Sequence, residues 1–486
     1  MNPYDPMREW IIYVQYIYIT AIITNFADSF GVSLSRGMNI RVRFPPSPTG
    51  FCHVGTARMA ILNYLFAKKH GGIIVFRSED TDKERSTKEF EADIIDNLTW
   101  LGISWDEFYR QSERTEIYRA AIHTLIVQGK AYVSEEESKK EAGVMVKIIR
   151  LKNPGTTITF TDAIRGDITF DTTELGDFAI ARAEDDPLYH LAVVVDDADM
   201  RITHVIRGED HISNTPRQIL IQEALGLPRP LYAHYPLHLA ADRSKLSKRK
   251  GDVAVRSYRE KGYLAPALLN YLATLGWTAP SGKEILSLDE MIGEFELADV
   301  HKNGAVFDIE KLNWFNRHYL QALPLRDFAL ESDKILQTSL HARGVAWNER
   351  IATSLAPLIR ERIAVWEELR TFADAGEFDF FFAEPKLEPT YIAQKKVSTE
   401  DTVRHLQSVK KLLSDAPEGA YNDTENIKAL VWEYASREGR GAVLWPLRYA
   451  LTGQERSPDP FEVIHLIGKE ASLRRIGTAL ALLSHI

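Results

Sequence analysis

The stretch from Ile40 to Phe76 limits the fold more than any other. Ile40-Arg-Val-Arg-Phe44 alternates like a short strand. Pro45-Pro-Ser-Pro-Thr-Gly50 follows it. Prolines at that density support neither a helix nor a hydrogen-bonded ladder, so this segment is a loop. From Thr56 to Lys69 the apolar Met59, Ile61, Leu62, Leu65 and Phe66 recur at helical spacing. Gly71-Gly72 closes that helix, and Ile73 to Phe76 reads as a buried strand. Strand, loop, helix and strand in that order build parallel sheet, so the front of the chain is expected to be α/β.

Further along, Lys88 to Leu101 and Glu116 to Gln128 carry helical patterns. Ile158 to Phe170 and Leu188 to Val195 read as strands separated by turns, and Ile202 to Ile206 as another strand. Arg207-Gly-Glu-Asp210 follows, then a helix to about Leu225, ended by Pro228-Arg-Pro230. Beyond Gly251 the chain turns helical, over Ala265–Leu275, Leu286–Phe295 and Ile309–Leu320. From Leu323 onward only helices are expected, with polar breaks near 383–397 and 415–425. A chain of 486 residues allows about three domains. Hydrophobic residues at 45% and charged residues at 26% exclude a disordered, collagen-like or polytopic membrane chain.

Lys and Arg number 59 against 68 Asp and Glu, a net charge of −9, so no global basic field coats DNA. An RNA enzyme with local basic patches stays open. The single cysteine, Cys52, excludes an intrachain disulfide and a cysteine zinc site, and fits a reducing cytosol. The run Trp10–Thr24 carries no charge, yet falls short of the roughly 20 apolar residues that span a bilayer. It also lacks the basic start and small-residue cleavage site of a signal peptide. Two readings of residues 1–37 remain: a β-prone extension, or a gene-calling artefact upstream of a true start at Met38.

The chain has no G-x-x-x-x-G-K-[ST], G-x-S-x-G, H-E-x-x-H or C-x-x-C motif. Three segments carry chemistry instead. In Arg43 to Thr56 a strand enters a rigid loop, and His53 and Gly55 fall at a helix start, where free N–H groups and the dipole favour anions. A capped helix with a surface histidine is the plainer reading. In Asp242 to Lys250, five of the eight residues from Arg243 onward are basic, with Ser244 and Ser247 as hydroxyl donors. That suits a polyphosphate whose leaving group gains charge; a solvated loop or an RNA contact is the alternative. Leu188-Tyr-His190 and His204 to His211 form the third. Arg207 and Glu209 stand at a strand end, where open α/β sheets bind ligands; a surface ion pair is the alternative.

Together these segments resemble a class I aminoacyl-tRNA synthetase of the bacterial glutamyl-tRNA synthetase family. FPPSPTGFCHVGT is similar to the family's first signature, with Thr56 in place of its second histidine, and KLSKR, Lys245–Arg249, to its second. RSEDTDKERS (77–86), THVIRGEDHISNTPRQ (203–218), GYLAPALLNYLATLGW (262–277) and AVFDIEKLNWFN (305–316) resemble family blocks in the family order. The resemblance implies a Rossmann-like catalytic domain (38–115 and 200–247), an α+β acceptor-binding insertion (116–199), a stem-contact region (248–320) and an all-helical anticodon-binding region (321–486).

By the same resemblance, Arg43, Ser47, Glu79, Tyr189 and Arg207 would bind glutamate. Pro46, Ser47, His53, Gly55, Thr56, Glu209, Lys245, Leu246, Ser247, Lys248 and Arg249 would bind ATP. Catalysis would fall to His53, Gly55, Thr56, Lys245 and Lys248. The implied reaction activates L-glutamate with ATP and passes it to the 3′ end of tRNA(Glu), with tRNA(Gln) a second candidate acceptor. Mg²⁺ would travel with ATP. Zinc is not expected, because Ala131-Tyr-Val-Ser-Glu-Glu-Glu137 lacks the cysteines many relatives carry there. The stretches at Asp106–Arg110 and after Ser138 are shorter than usual, and Val193 replaces a frequent Asn. A cytoplasmic monomer without membrane association is expected. Competing readings are a glutaminyl-tRNA synthetase, a truncated paralogue that glutamylates a modified base, and a non-catalytic RNA-binding relative.

Other residues invite plainer readings. Asp196, Asp197 and Asp199 are expected in a polar turn after a strand rather than around a metal. His204 and His211 read as structural, Cys52 as a small loop residue, and Trp432 and Trp445 as core. Arg437, Arg440 and Arg448 fit either a tRNA contact or a solvated face.

Overall fold

The computed structural model describes residues 39–138, 143–240, 242, 244, 253–393 and 397–484. The amino-terminal extension 1–37 and the residues Lys245, Leu246, Ser247, Lys248 and Arg249 of the basic segment lie outside the described residues. The chain divides into two compact units, up to Phe315 and from Asn316 onward.

In the first unit, β1 (Arg41–Phe44), β2 (Ile73–Ser78) and β3 (Glu107–Arg110) pair in parallel, in that order. The connecting helices are α1 (Val54–Lys69) and α2 (Lys88–Trp100). The strand–loop–helix–strand reading of 40–76 therefore holds. At its close Gly71 takes φ 63°, and a Cβ on Gly72 would sit 2.6 Å from the Ile40 carbonyl oxygen. Gly72→Ala is therefore expected to cost about 1–3 kcal/mol, read by denaturant unfolding, because a backbone atom cannot step aside as a side chain can.

After α3 (Thr115–Val127) the chain forms β4 (Ala131–Glu137), β5 (Met145–Leu151), the hairpin β6 (Thr157–Asp162) and β7 (Gly166–Asp171), then β8 (Phe178–Ala183) and β9 (Asp186–Pro187). Strands β4, β5, β8 and β9 make an antiparallel sheet. Helix α4 (Tyr189–Asp199), β10 (His204–Gly208), α5 (Thr215–Leu225) and β11 (Leu231–Tyr235) complete the core. Thr203 just before β10 bonds to Arg41 of β1, through its N–H to the Arg41 carbonyl (2.9 Å). Beyond β10 run β11 in parallel, then β6, then β7. One hydrophobic cluster joins Ile122 and Leu125 of α3, Ile149 of β5, Phe160 of β6, Leu191 of α4, Val205 of β10 and Ile219 of α5. Residues 116–199 thus share their core with the strands on either side of them.

Leu188–Val195, expected as a strand, is instead the start of α4. Its Leu-Ala-Val-Val-Val run is buried on every side, so no helical stripe survives in the pattern. A β-branched run then mimics a buried strand, and tertiary burial overrides propensity. The expected polar turn at Asp196, Asp197 and Asp199 is likewise corrected. They occupy the last turn of α4, with Asp196 and Asp197 buried.

The second unit is helical. Its longer elements are Leu325–Ala342, Glu349–Arg362, Trp366–Asp374, Thr399–Asp415, Thr424–Glu438, Arg440–Thr452 and Pro460–Leu483. Trp432 and Trp445 are half-buried rather than core. The Arg440 guanidinium lies 4.4 Å from the Trp432 ring centre, and Arg448 lies 5.4 Å from that of Trp445. No helix among the described residues is long and apolar enough to cross a membrane.

Candidate active site

The proline loop after β1, the end of β2, the start of α4 and the end of β10 enclose a cavity of about 1100 Å³. Arg43, Pro46, Ser47, Thr56, Glu79, Tyr189 and Arg207 all face it, as do Gln111 and His211. All five residues implied for glutamate therefore meet in one place, though they are dispersed over 165 positions of sequence between Arg43 and Arg207.

Two buried cations define its chemistry. Arg43 (1% exposed) donates Nε to Asp197 Oδ1 at 3.3 Å and leaves Nη1 without a partner. Arg207 (4% exposed) donates Nε to His234 Nε2 at 3.0 Å and Nη2 to Thr215 Oγ1 at 2.8 Å, and also leaves Nη1 without one. A buried donor with no acceptor costs about 1–3 kcal/mol, and more when it is charged. Burial also pulls the Arg207 guanidinium below its ordinary value, against the partial support of Tyr189 and Tyr232. Two under-compensated guanidiniums on one cavity wall suit an anion, and their forked geometry suits a carboxylate. The surface ion pair considered for Arg207 and Glu209 is not present. Arg207 is buried, and Glu209 bonds to Arg165 and to the Leu237 N–H instead.

Behind the cavity stands Arg77, fully buried on β2. It donates to Asp197 Oδ1 at 2.7 Å and to Glu79 Oε1 at 3.1 Å. Burial alone would raise the Asp197 carboxyl, but Arg77 and Arg43 outweigh it and hold the group below its ordinary value. Burial pushes Glu79 up against the pull of the same arginines. Asp196 accepts from Gln111, Tyr118 and Arg114, each at 2.8 Å. Asp199 bonds to Arg114. The three aspartates are thus arginine partners, and no group of three or more metal-ligating side chains occurs among the described residues.

His53 caps α1, and its Nδ1 accepts from the Gly55 N–H at 3.0 Å. In the neutral ring that leaves the proton on Nε2, which can donate to an anion. Thr56 continues into the cavity wall. Val54 N–H bonds to the Val253 carbonyl at 2.8 Å, and Val255 N–H to that of Cys52 at 2.8 Å. The chain that follows the basic segment is therefore laced to the first signature. At the start of that segment, Ser244 Oγ donates to Asp242 at 2.7 Å. Cys52 is buried, and burial pushes its thiol up, with Asp93 adding to the effect, so it is no nucleophile.

Sequence reasoning missed Arg77, Asp162, Asp197, His234 and Thr215. Arg77 carried a usable signal: it stands two residues before Glu79, on the same face of an extended chain. His211 bonds through Nδ1 to the Tyr189 hydroxyl at 3.1 Å, so it is part of the site wall. Burial lowers His190, His204 and His211 from 6.5 to about 4. The unfolded chain binds protons on these rings from about pH 6.5 downward, and the folded chain only near 4. Stability is therefore expected to fall as pH drops through that window, measured as a declining Tm.

The family model described as tRNA synthetases class I (E and Q), catalytic domain, matches residues 39–142 and 133–314, and an anticodon binding domain model matches 313–480. The chain is 39% identical over 490 residues to the glutamate–tRNA ligase of Heliobacterium modesticaldum, covering 91% of this chain and 97% of that one. It is 40% identical to that of Aquifex aeolicus, with 92% and 99% covered. The crystal structure of a glutamate tRNA ligase from Elizabethkingia meningosepticum, in complex with its amino acid, superposes with a TM-score of 0.79 at 31% identity over 91% of this chain and 99% of that one. The chain belongs to the glutamate–tRNA ligase family of class I tRNA synthetases.

Proposed function

We propose that this protein activates L-glutamate with ATP and transfers it to the 3′ end of tRNA(Glu). The observation that carries the reading is the pair of unpartnered guanidinium nitrogens on Arg43 and Arg207, in one cavity with Glu79 and Tyr189. The side-chain carboxylate of glutamate supplies what both cations lack. Glutamine would leave them uncompensated, which is how such a site rejects it. Glu79 is suited to the substrate ammonium, with Ser47 and Pro46 lining the same wall.

The α-carboxylate is then left to attack the α-phosphate of ATP, giving glutamyl-adenylate and pyrophosphate. A terminal ribose hydroxyl of the tRNA attacks the acyl carbon next, and AMP leaves. The protein aligns reactants and stabilises charge, and forms no covalent intermediate. His53 Nε2–H, Gly55 and Thr56 serve the phosphates, with the positive end of the α1 dipole behind them. Lys245 and Lys248 belong to the same phosphate set in this reading, with Leu246, Ser247 and Arg249 around them. Glu209 stands near the nucleotide. Mg²⁺ enters as the Mg–ATP substrate.

The reading extends to the whole chain. Residues 38–115 and 200–247 catalyse, 116–199 receive the acceptor end, 248–320 contact the stem, and 321–486 read the anticodon. The enzyme is a cytoplasmic monomer that needs no zinc, and tRNA(Gln) is the second acceptor to test. The deciding experiment is ATP–pyrophosphate exchange with glutamate, with and without total tRNA, and with glutamine as control. Exchange confined to glutamate supports the assignment. No exchange in folded protein under either condition overturns it.

A further inference from the structure

Arg207, His234 and Asp162 stand in a row across three neighbouring strands. Arg207 of β10 is the register partner of His234 of β11, and β11 pairs with β6 through Tyr232 and Asp162. Asp162 and His234 are buried with Arg207, at 2%, 0% and 4% exposure. The Asp162 carboxylate has four donors. Oδ1 takes the N–H groups of Ile164 (3.0 Å) and Arg165 (2.9 Å), and Oδ2 takes the His234 N–H (3.0 Å) and ring Nδ1 (2.6 Å). A carboxylate so held can only accept, so His234 Nδ1 carries the ring proton. Nε2 is then a lone pair, and it receives Arg207 Nε at 3.0 Å.

We propose that Asp162 and His234 are positioning residues that lock the Arg207 guanidinium, so that its one remaining donor group, Nη1, is reserved for the side-chain carboxylate of glutamate. This rests on the glutamate assignment above. Thr215 takes Nη2, His234 takes Nε, and Nη1 is left without a partner. The order of the relay matters. A carboxylate placed directly on Arg207 would orient it but also cancel its charge at short range. An interposed neutral imidazole orients Nε and leaves the positive charge for the ligand. Burial, opposed by the Asp162 bond, keeps His234 below its ordinary value, which favours that neutral form. Arg165 reinforces the clamp by donating Nε to the His234 carbonyl at 3.0 Å. The relay gives the β6–β7 hairpin a part in choosing the substrate.

The test uses the full chain with tRNA, reading glutamate-dependent pyrophosphate exchange, KM for glutamate and for ATP, and Tm. His234→Leu removes the acceptor and is expected to raise KM for glutamate roughly 10- to 100-fold, with KM for ATP within about threefold. His234→Gln carries a donor and an acceptor on one amide and is expected to recover most of that loss. Asp162→Asn offers the ring a donor, which forces the proton to Nε2 against the Arg207 N–H, and is expected to raise KM for glutamate as His234→Leu does. If His234→Leu does not fold, the contrast between His234→Gln and Asp162→Asn decides. The proposal is overturned if KM for glutamate is unchanged in these variants. It is equally overturned if both KM values and Tm shift together without rescue by Gln. Absence of glutamate-dependent exchange in the unsubstituted chain would instead sink the parent reading, and this proposal with it.

Discussion

Arg43→Leu is expected to lower kcat/KM for glutamate activation by about 100- to 1,000-fold, while KM for ATP moves little. The reasoning is one of charge. Arg43 and Arg207 each leave a buried guanidinium nitrogen without an acceptor, and a bound side-chain carboxylate would serve both. Removing one cation deletes a charge-assisted contact and leaves the carboxylate facing an apolar side chain. The substitution is also mild for the fold. Arg43 reaches Asp197 only at 3.3 Å, whereas Arg77 holds the same oxygen at 2.7 Å, so Asp197 keeps its stronger partner. A folded variant with impaired glutamate use is thus the expected product, and steady-state exchange kinetics beside a Tm measurement separate the two effects. Discrimination should narrow as well. With less uncompensated positive charge, glutamine loses less on entry, and the ratio of glutamate to glutamine activation should fall. A variant that keeps its kcat/KM within about threefold would show that Arg43 does not touch the substrate.

The sequence was informative where local physics decides structure, and silent where packing decides it. The β1–loop–α1–β2 unit was legible because alternation, proline and helical spacing each act within a few residues. The helical second unit was legible for the same reason, its breaks falling at polar stretches such as Ala383–Glu388. The start of α4 was not, because a helix buried all round loses the periodicity that marks a helix. Its aspartates were misread for a linked reason. A carboxylate beside a strand-like run looks solvated until the arginines that bury it are known, and Arg77 and Arg114 come from 120 and 82 positions away. The direct wall of the cavity came through by resemblance, since Arg43, Ser47, Glu79, Tyr189 and Arg207 lie in recognisable blocks. The residues behind that wall did not. Asp162 and His234 act only as a pair joined across strands, and nothing in Leu231-Tyr-Ala-His-Tyr235 sets that histidine apart from a structural one.

The largest stability effect should come from Arg77→Met. Arg77 is wholly buried, and the Asp197 and Glu79 carboxylates that it binds are only 6% and 8% exposed, with Asp196 within 3.8 Å. Removing the cation strands buried negative charge, which costs about 3–5 kcal/mol, whereas replacing a whole buried ion pair by apolar groups is often neutral. The pH dependence gives this account its own signature. In the parent chain Asp197 is held below its ordinary value, so its contribution is present above about pH 4 and lost as pH falls through the folded value. In Arg77→Met the dominant partner is gone, and burial pushes the same carboxyl up against Arg43 and Arg207 only, so it sits higher than in the parent chain. The folded variant then binds protons more readily than the folded parent, so acid relieves part of the defect. The Tm gap between the two proteins should be widest near pH 7 and narrow towards pH 4. Arg77→Met combined with Asp197→Asn should recover part of the loss at pH 7, because the stranded charge is removed. A gap that stays constant from pH 7 to 4, with no recovery in the double variant, would mean that lost packing volume, not charge, is what Arg77 contributes. Thermal unfolding of the three proteins across that pH range decides between the two.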